Sequence, residues 1–185
     1  GEMEIPHYVA YRTAAKLQID GHLDEYVWQH APRSPRFRDM IYGEEAIHDT
    51  RAAVLWDDEY LYVAYWIEEP DLQATLTERD APIYQNNDVE FFIAGRDGYY
   101  EFEINSFGTI YEVLFIWDEA NKDGSYDKIE GLGKDQPGRT AFFGVGYKDH
   151  PRGPRTGFFQ WDLPGLLTAV SLDGTINDSS DRDRG

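Results

Sequence analysis

Apolar residues along this chain recur mostly at alternate positions, and turn-forming residues separate the runs. That pattern belongs to half-buried strands rather than to helices. It predicts strands over residues 50–56, 60–68, 88–94, 99–107, 109–116, 140–147 and 169–172. Asp57-Asp58-Glu59, Gly95-Arg96-Asp97-Gly98 and Gly108 stand where antiparallel hairpins would reverse. One short N-terminal helix is expected, with Asp24 as its cap and Val27, Trp28 and Ala31 on its apolar side. Two polar, Gly-containing stretches, 118–139 and 148–157, read as loops. So many strands with so little helix predict an all-β fold. The form expected is an antiparallel β-sandwich, built as a single domain over 1–185.

Within 60–68, Leu61, Val63, Tyr65 and Ile67 form the aliphatic face expected in the core. Tyr60, Tyr62, Ala64, Trp66 and Glu68 are then left under loops or partly open. A turn at Gly95 to Gly98 fixes the register of the next hairpin. Val89, Phe91 and Ile93 then face Ile104, Phe102 and Tyr100 on an apolar side, while Asp88, Glu90 and Phe92 face Asn105, Glu103 and Glu101 on the other. Glu90 is thus set directly against Glu103, and opposed like charges are unfavourable unless a cation, a basic side chain or a shared proton resolves them. A solvated surface pair is the alternative.

Charge and composition narrow the function. A formal net charge of -18, from 35 acidic against 17 basic residues, repels phosphate backbones and anionic membranes. Nucleic acid is therefore not an expected partner, and a neutral sugar or a cation such as calcium is. No cysteine is present, which removes disulfides, thiolate metal sites and cysteine nucleophiles. The five histidines, His7, His22, His30, His48 and His150, show no metal-ligand spacing. No nucleophile elbow, phosphate loop or dinucleotide fingerprint appears, so binding is favoured over catalysis. No apolar run is long enough to span a bilayer, so membrane insertion is not expected. Aromatic residues make up 15% of the chain, a surplus that serves binding surface as well as core.

Five stretches in order resemble the family 9 carbohydrate-binding modules, in particular the family 9-like proteins: IDGHLDEYVW, VLWDDEYLYVAYWIEEPDL, RDAPIYQNNDVEFFI, YYEFEINSFGTIYEV and LDGTINDSSDRDRG. The resemblance implies a non-catalytic β-sandwich of the jelly-roll, DOMON-like kind that holds a sugar between aromatic rings. By position, Tyr84 matches the first stacking ring, Glu90 an acidic hydrogen-bonding residue and Asn105 a polar one. Asp88 and Glu103 adjoin them, although Glu103 stands where sugar-binding members tend to carry Arg. The family continues with further strands and a second ring, so the sequence reads as C-terminally incomplete, with Trp117 and Trp161 as candidate substitutes for that ring or as packing residues. An incomplete sandwich would expose a sheet edge through which chains could associate.

Calcium is a candidate cofactor, because Asn177, Asp178, Asp181 and Asp183 form an oxygen-rich loop, although a solvated acidic tail is the favoured reading of these residues. Two rival functions remain open at this stage. One is a glycan-processing enzyme built on a Glu90 and Glu103 carboxylate pair. The other is a haem-binding domain, for which only Met3 and Met40 are thioether candidates; neither lies in the central strands, and no haem is expected. A role in glycan degradation outside the cell is expected, with export by a signal peptide that these residues do not include.

Overall fold

The computed structural model describes residues 5–38, 49–68, 77, 79–80, 88–145 and 148–172. Among the described residues the chain is mostly β with a single short α-helix, α1 (Tyr26–His30). It divides into two compact units, Gly1–Gln73 with Leu167–Gly185, and Ala74–Leu166.

The first unit carries a three-stranded sheet in the order β1 (Tyr11–Arg12), β2 (Thr50–Trp56), β3 (Leu61–Ile67). β1 runs parallel to β2, and β2 and β3 form an antiparallel hairpin. Asp57 makes the reversal: its Oδ1 accepts from the Glu59 and Tyr60 amides at 2.8 Å each, and its Oδ2 accepts from the Tyr62 hydroxyl at 2.6 Å. That side-chain turn is what a short acidic residue offers in place of a glycine. The core of this unit gathers Leu17, Trp28, Ala53, Leu55, Tyr62 and Ala64. The expected sides of β3 are therefore exchanged. Tyr62 and Ala64 are buried under α1, with Trp66 packed on them, whereas Leu61 is 52% exposed. Aromatic bulk fills the gap between the sheet and the helix, and Trp28 meets Trp66 edge-on at 6.3 Å.

The helix begins one residue later than expected, with Glu25 at its N-cap and no side-chain cap bond. Glu25 Oε1 instead accepts from the Gln18 amide, so Asp24 does not cap this helix. Residues 169–172 form no strand. They pack back on the start of the chain, where the Ser171 hydroxyl donates to the Gly21 carbonyl at 2.7 Å.

The second unit holds a five-stranded antiparallel sheet in the order β4 (Asp88–Ala94), β5 (Gly98–Asn105), β6 (Ile110–Trp117), β10 (Arg155–Phe158), β7 (Arg139–Phe142). The predicted strand over 140–147 breaks after β7, and its continuation β8 (Gly144–Val145) pairs with β9 (Lys148–Asp149) in a separate two-stranded ladder. The segment expected to be a loop, 148–157, supplies β9 and most of β10. Gly157 explains β10: a Cβ there would lie 2.9 Å from the Phe115 ring and 3.1 Å from those of Phe142 and Phe159. Only a strand without a side chain at that point lets the three rings close over it.

Residues 118–138 contain two short 3-10 turns, Asp118–Asn121 and Tyr126–Lys128. Asp127 ties the segment down by accepting from Asn121 Nδ2 at 3.0 Å and Arg139 Nη1 at 2.9 Å. Leu132 joins Ile116 and Phe158 in a buried cluster against which Trp161 packs. Trp117 is also buried, beside Tyr99 and His150. Both tryptophans therefore serve packing.

Candidate functional site

The β4–β5 hairpin turns through Gly95 and Gly98, with the Gly95 amide donating to the Gly98 carbonyl at 2.8 Å. A side chain at Gly98 is impossible without moving β6, because its Cβ would sit 2.0 Å from the Phe115 carbonyl oxygen. The turn thus fixes the register, and the register is the expected one: Asp88 faces Asn105, Glu90 faces Glu103, and Phe92 faces Glu101. Phe91 stacks on Phe102 at 5.0 Å on the opposite side.

One carboxylate oxygen from each of Asp88, Glu90 and Glu103 lies within 4.8 Å of the other two. Their environments differ. Glu90 is exposed, Asp88 is half-buried and Glu103 is 3% exposed. Asp88 Oδ2 and Glu103 Oε2 are both shut off from solvent and have no hydrogen-bond partner. Burial pushes the Glu103 carboxyl up to about 9, helped by its hydrogen bond with Glu90 and by the charges of Asp88, Glu90 and Glu101. Burial likewise raises Asp88 to about 6, against the lowering effect of its hydrogen bond with Glu103. Glu101, next along β5, is pushed up to about 7 by burial and by Glu90, with Arg155 pulling it back down. Of this cluster, Glu103 is therefore the carboxyl that burial disfavours most in its charged form, and Arg155 relieves the neighbouring Glu101.

Asn105 is 3% exposed, and its Oδ1 accepts from the amides of Phe107 and Thr109 at 3.0 Å each. Its carbonyl oxygen closes the β5–β6 turn, a use that the Asn-Ser-Phe-Gly sequence signals in retrospect. Tyr84, which resembles the family's stacking ring, lies outside the described residues, as do Asn177, Asp178, Asp181 and Asp183 and the thioether candidates Met3 and Met40.

On the same face, toward the hairpin tip, Phe92, Ala94, Tyr99, Trp117, His150, Arg152 and Arg155 line a cavity of about 400 Å³. Arg155 is buried among rings, its guanidinium 5.3 Å from the Phe115 centroid and 5.5 Å from that of Phe142. Sequence reasoning missed this residue because it sits on a four-residue strand that follows Gly153-Pro154 and itself contains Gly157. The other face holds a second surprise, Glu112, which has no exposed surface. Its carboxylate accepts from Arg79, from the Tyr100 hydroxyl and from the Leu163 amide. Burial raises this carboxyl, and the Tyr100, Leu163 and Arg79 donors work against the rise. A glutamate among Ile110, Leu114 and Ile116 in an otherwise apolar alternation was the available signal.

Among the described residues, no helix is long and apolar enough to cross a membrane. No curated protein and no solved structure matches the chain. Residues 19–129 do match a family model, that of the carbohydrate family 9 binding domain-like proteins, a segment that takes in α1, both hairpins and β6. Such modules support a carbohydrate-binding role in general and are usually non-catalytic. With more than half of its residues inside that match, the chain belongs to the carbohydrate family 9 binding domain-like family.

Proposed function

We propose that this chain is a non-catalytic carbohydrate-binding module whose ligand lies against the β4–β5 face, with Glu90 and Asp88 bonding sugar hydroxyls and Tyr84 stacking on a sugar C–H face. The observation that carries the reading is the cluster of polar oxygens on that face within the family segment, two of them without partners. A carboxyl oxygen denied both water and protein partners is costly, and a sugar hydroxyl is a neutral group able to supply the missing bond. From Glu90 to Ala94 the strand runs about 13 Å, which leads from the acidic cluster to the aromatic cavity and gives room for more than one sugar ring. Glu103 and Asn105 support the rim from below, since both are buried.

The hydrogen bond between Glu90 and Glu103 also bears on the enzymatic alternative. A retaining glycosidase holds its carboxyl groups about 5 to 5.5 Å apart, with the scissile bond between them. Two carboxyls bonded to each other leave no such space, which favours binding over hydrolysis. An exported protein acting on glycans is the setting that this family suits.

One ring and a few rim hydrogen bonds amount to roughly 3 to 5 kcal/mol, hence dissociation constants near millimolar. Titration calorimetry with a panel of neutral mono- and oligosaccharides should find at least one such ligand, and Tyr84→Ala should lose it while keeping the wild-type circular dichroism spectrum. Heat for none of the panel, or a Tyr84→Ala protein that binds as wild type does, would end the reading.

A further inference from the structure

We propose that the cavity toward the β4–β5 hairpin tip is a subsite for an acidic sugar, a uronic acid, whose carboxylate is recognised by Arg155. The inference rests on the sugar reading above and names the class of sugar. In a chain with 35 acidic and 17 basic residues, this cavity reverses the balance. Arg152, Arg155 and His150 line it and, among the described residues, no carboxylate does. Its walls are Phe92, Tyr99 and Trp117, rings of the kind that pack on the C–H face of a pyranose. A volume of about 400 Å³ lies at the lower end of the range for small-ligand sites, which suits one sugar ring.

Arg155 supplies the second observation. It is 9% exposed and stands among four rings, its guanidinium 5.8 Å from the Trp117 centroid and 6.0 Å from that of Tyr99 on the cavity side. Nη1 donates to the Gly144 carbonyl at 3.3 Å, which occupies one side of the fork. Nε, on the other side, is buried and has no partner. Among the described residues, no carboxylate forms an ion pair with this guanidinium. Glu101, on which its charge acts, is itself pushed up to about 7 by burial and by Glu90. A cation buried without a counter-charge is costly, and the rings offset only part of that cost. A ligand carboxylate supplies both the charge and the acceptor, because its two oxygens match the Nε and Nη2 edge of a guanidinium. Arg152 adds positive charge at the cavity while bonded to Glu119 and the Arg96 carbonyl. The face is therefore polarised, with Asp88, Glu90 and Glu103 toward one end and Arg152 and Arg155 toward the other. A glycan lies on it in one direction, a neutral unit against the acidic cluster and the uronate toward the hairpin tip, since the acidic end repels a carboxylate.

The experiment titrates the full chain with matched sugars in about 0.15 M salt, where a Debye length near 8 Å screens the repulsion from the net charge of -18. Glucosyl and galactosyl trisaccharides ending in glucose are compared with the same trisaccharides ending in glucuronate, beside free glucose, glucuronate, galactose and galacturonate. For at least one pair the uronate form should bind at least about tenfold tighter, as a charge-assisted hydrogen bond supplies. Arg155→Met, which keeps most of the packing and removes the charge, should bring the ratio of the two affinities to about one. In isotope-labelled wild type the Arg155 Nε–H resonance should shift in proportion to bound uronate, and this decides the matter should Arg155→Met fail to fold. Uronates that bind no better than their neutral partners overturn the inference and leave neutral-sugar binding standing. A preference that survives in folded Arg155→Met, or an Arg155 Nε–H resonance that stays in place at saturation, overturns it too. Heat from neither member of any pair overturns both this inference and the sugar reading.

Discussion

Glu112 and Arg79 are unequal partners: one has no exposed surface, while the side chain of the other is 46% exposed. Removing the arginine leaves a carboxylate stranded in the interior, whereas neutralising the glutamate leaves a guanidinium that can turn to water and Asp162. Arg79→Ala is therefore expected to cost about 3 kcal/mol and Glu112→Gln only about 1 to 2 kcal/mol, as read by urea unfolding. The reverse order would show that the pair is held from the arginine side. Asp57 makes a pH prediction. The Tyr62 hydroxyl and the Glu59 and Tyr60 amides hold its carboxyl below the ordinary carboxylate value. Its stabilisation is therefore fully present above about pH 4 and is lost as the pH falls through the lowered folded value. The stability gap between wild type and Asp57→Asn should close as the pH falls through that lowered value, and a gap that stays constant to the lowest pH would contradict this. At this scale the sequence disclosed the acidic trio, because a turn and a period of two place each side chain. It did not disclose which carboxylates are buried, since that depends on what the rest of the chain lays over the sheet.

The β4–β5 hairpin was legible down to its residue pairs because Gly95 and Gly98 bound a turn of fixed length, and two long alternating strands permit only one register that stacks Phe91 on the buried Phe102. Gly98→Ala tests that dependence. Its added carbon meets the backbone of Phe115, which cannot swing away as a side chain would. A loss of at least about 2 kcal/mol is expected in denaturant unfolding, and a neutral change would mean that β5 and β6 are not held so close. β10 was not legible: four residues, one of them glycine, carry no usable period, and only the rings of Phe115, Phe142 and Phe159 around Gly157 reveal why the strand is there. β3 is legible as a strand, but its alternation points to the aliphatic side as the core side. Tertiary packing against Trp28 overrode that preference, since a helix needs large side chains beneath it.

Over the whole molecule, the charge of -18 sets up repulsion that no single ion pair offsets. Screening by about 0.1 M salt, where the Debye length is near 10 Å, should raise the Tm above its value at low ionic strength. A fall on adding salt would mean that attractive pairs dominate. The family match and the acidic face fall in one stretch of chain, residues 19–129, and the proposed function places the sugar on its β4–β5 face. The most direct test is a titration of isotope-labelled protein with a neutral oligosaccharide, followed through the backbone amide resonances. Sugar bound on this face should produce saturable, millimolar shifts centred on Asp88, Glu90 and Glu103 and extending toward Phe92 and Tyr99. Shifts centred elsewhere, or none at ligand concentrations well above millimolar, would contradict it.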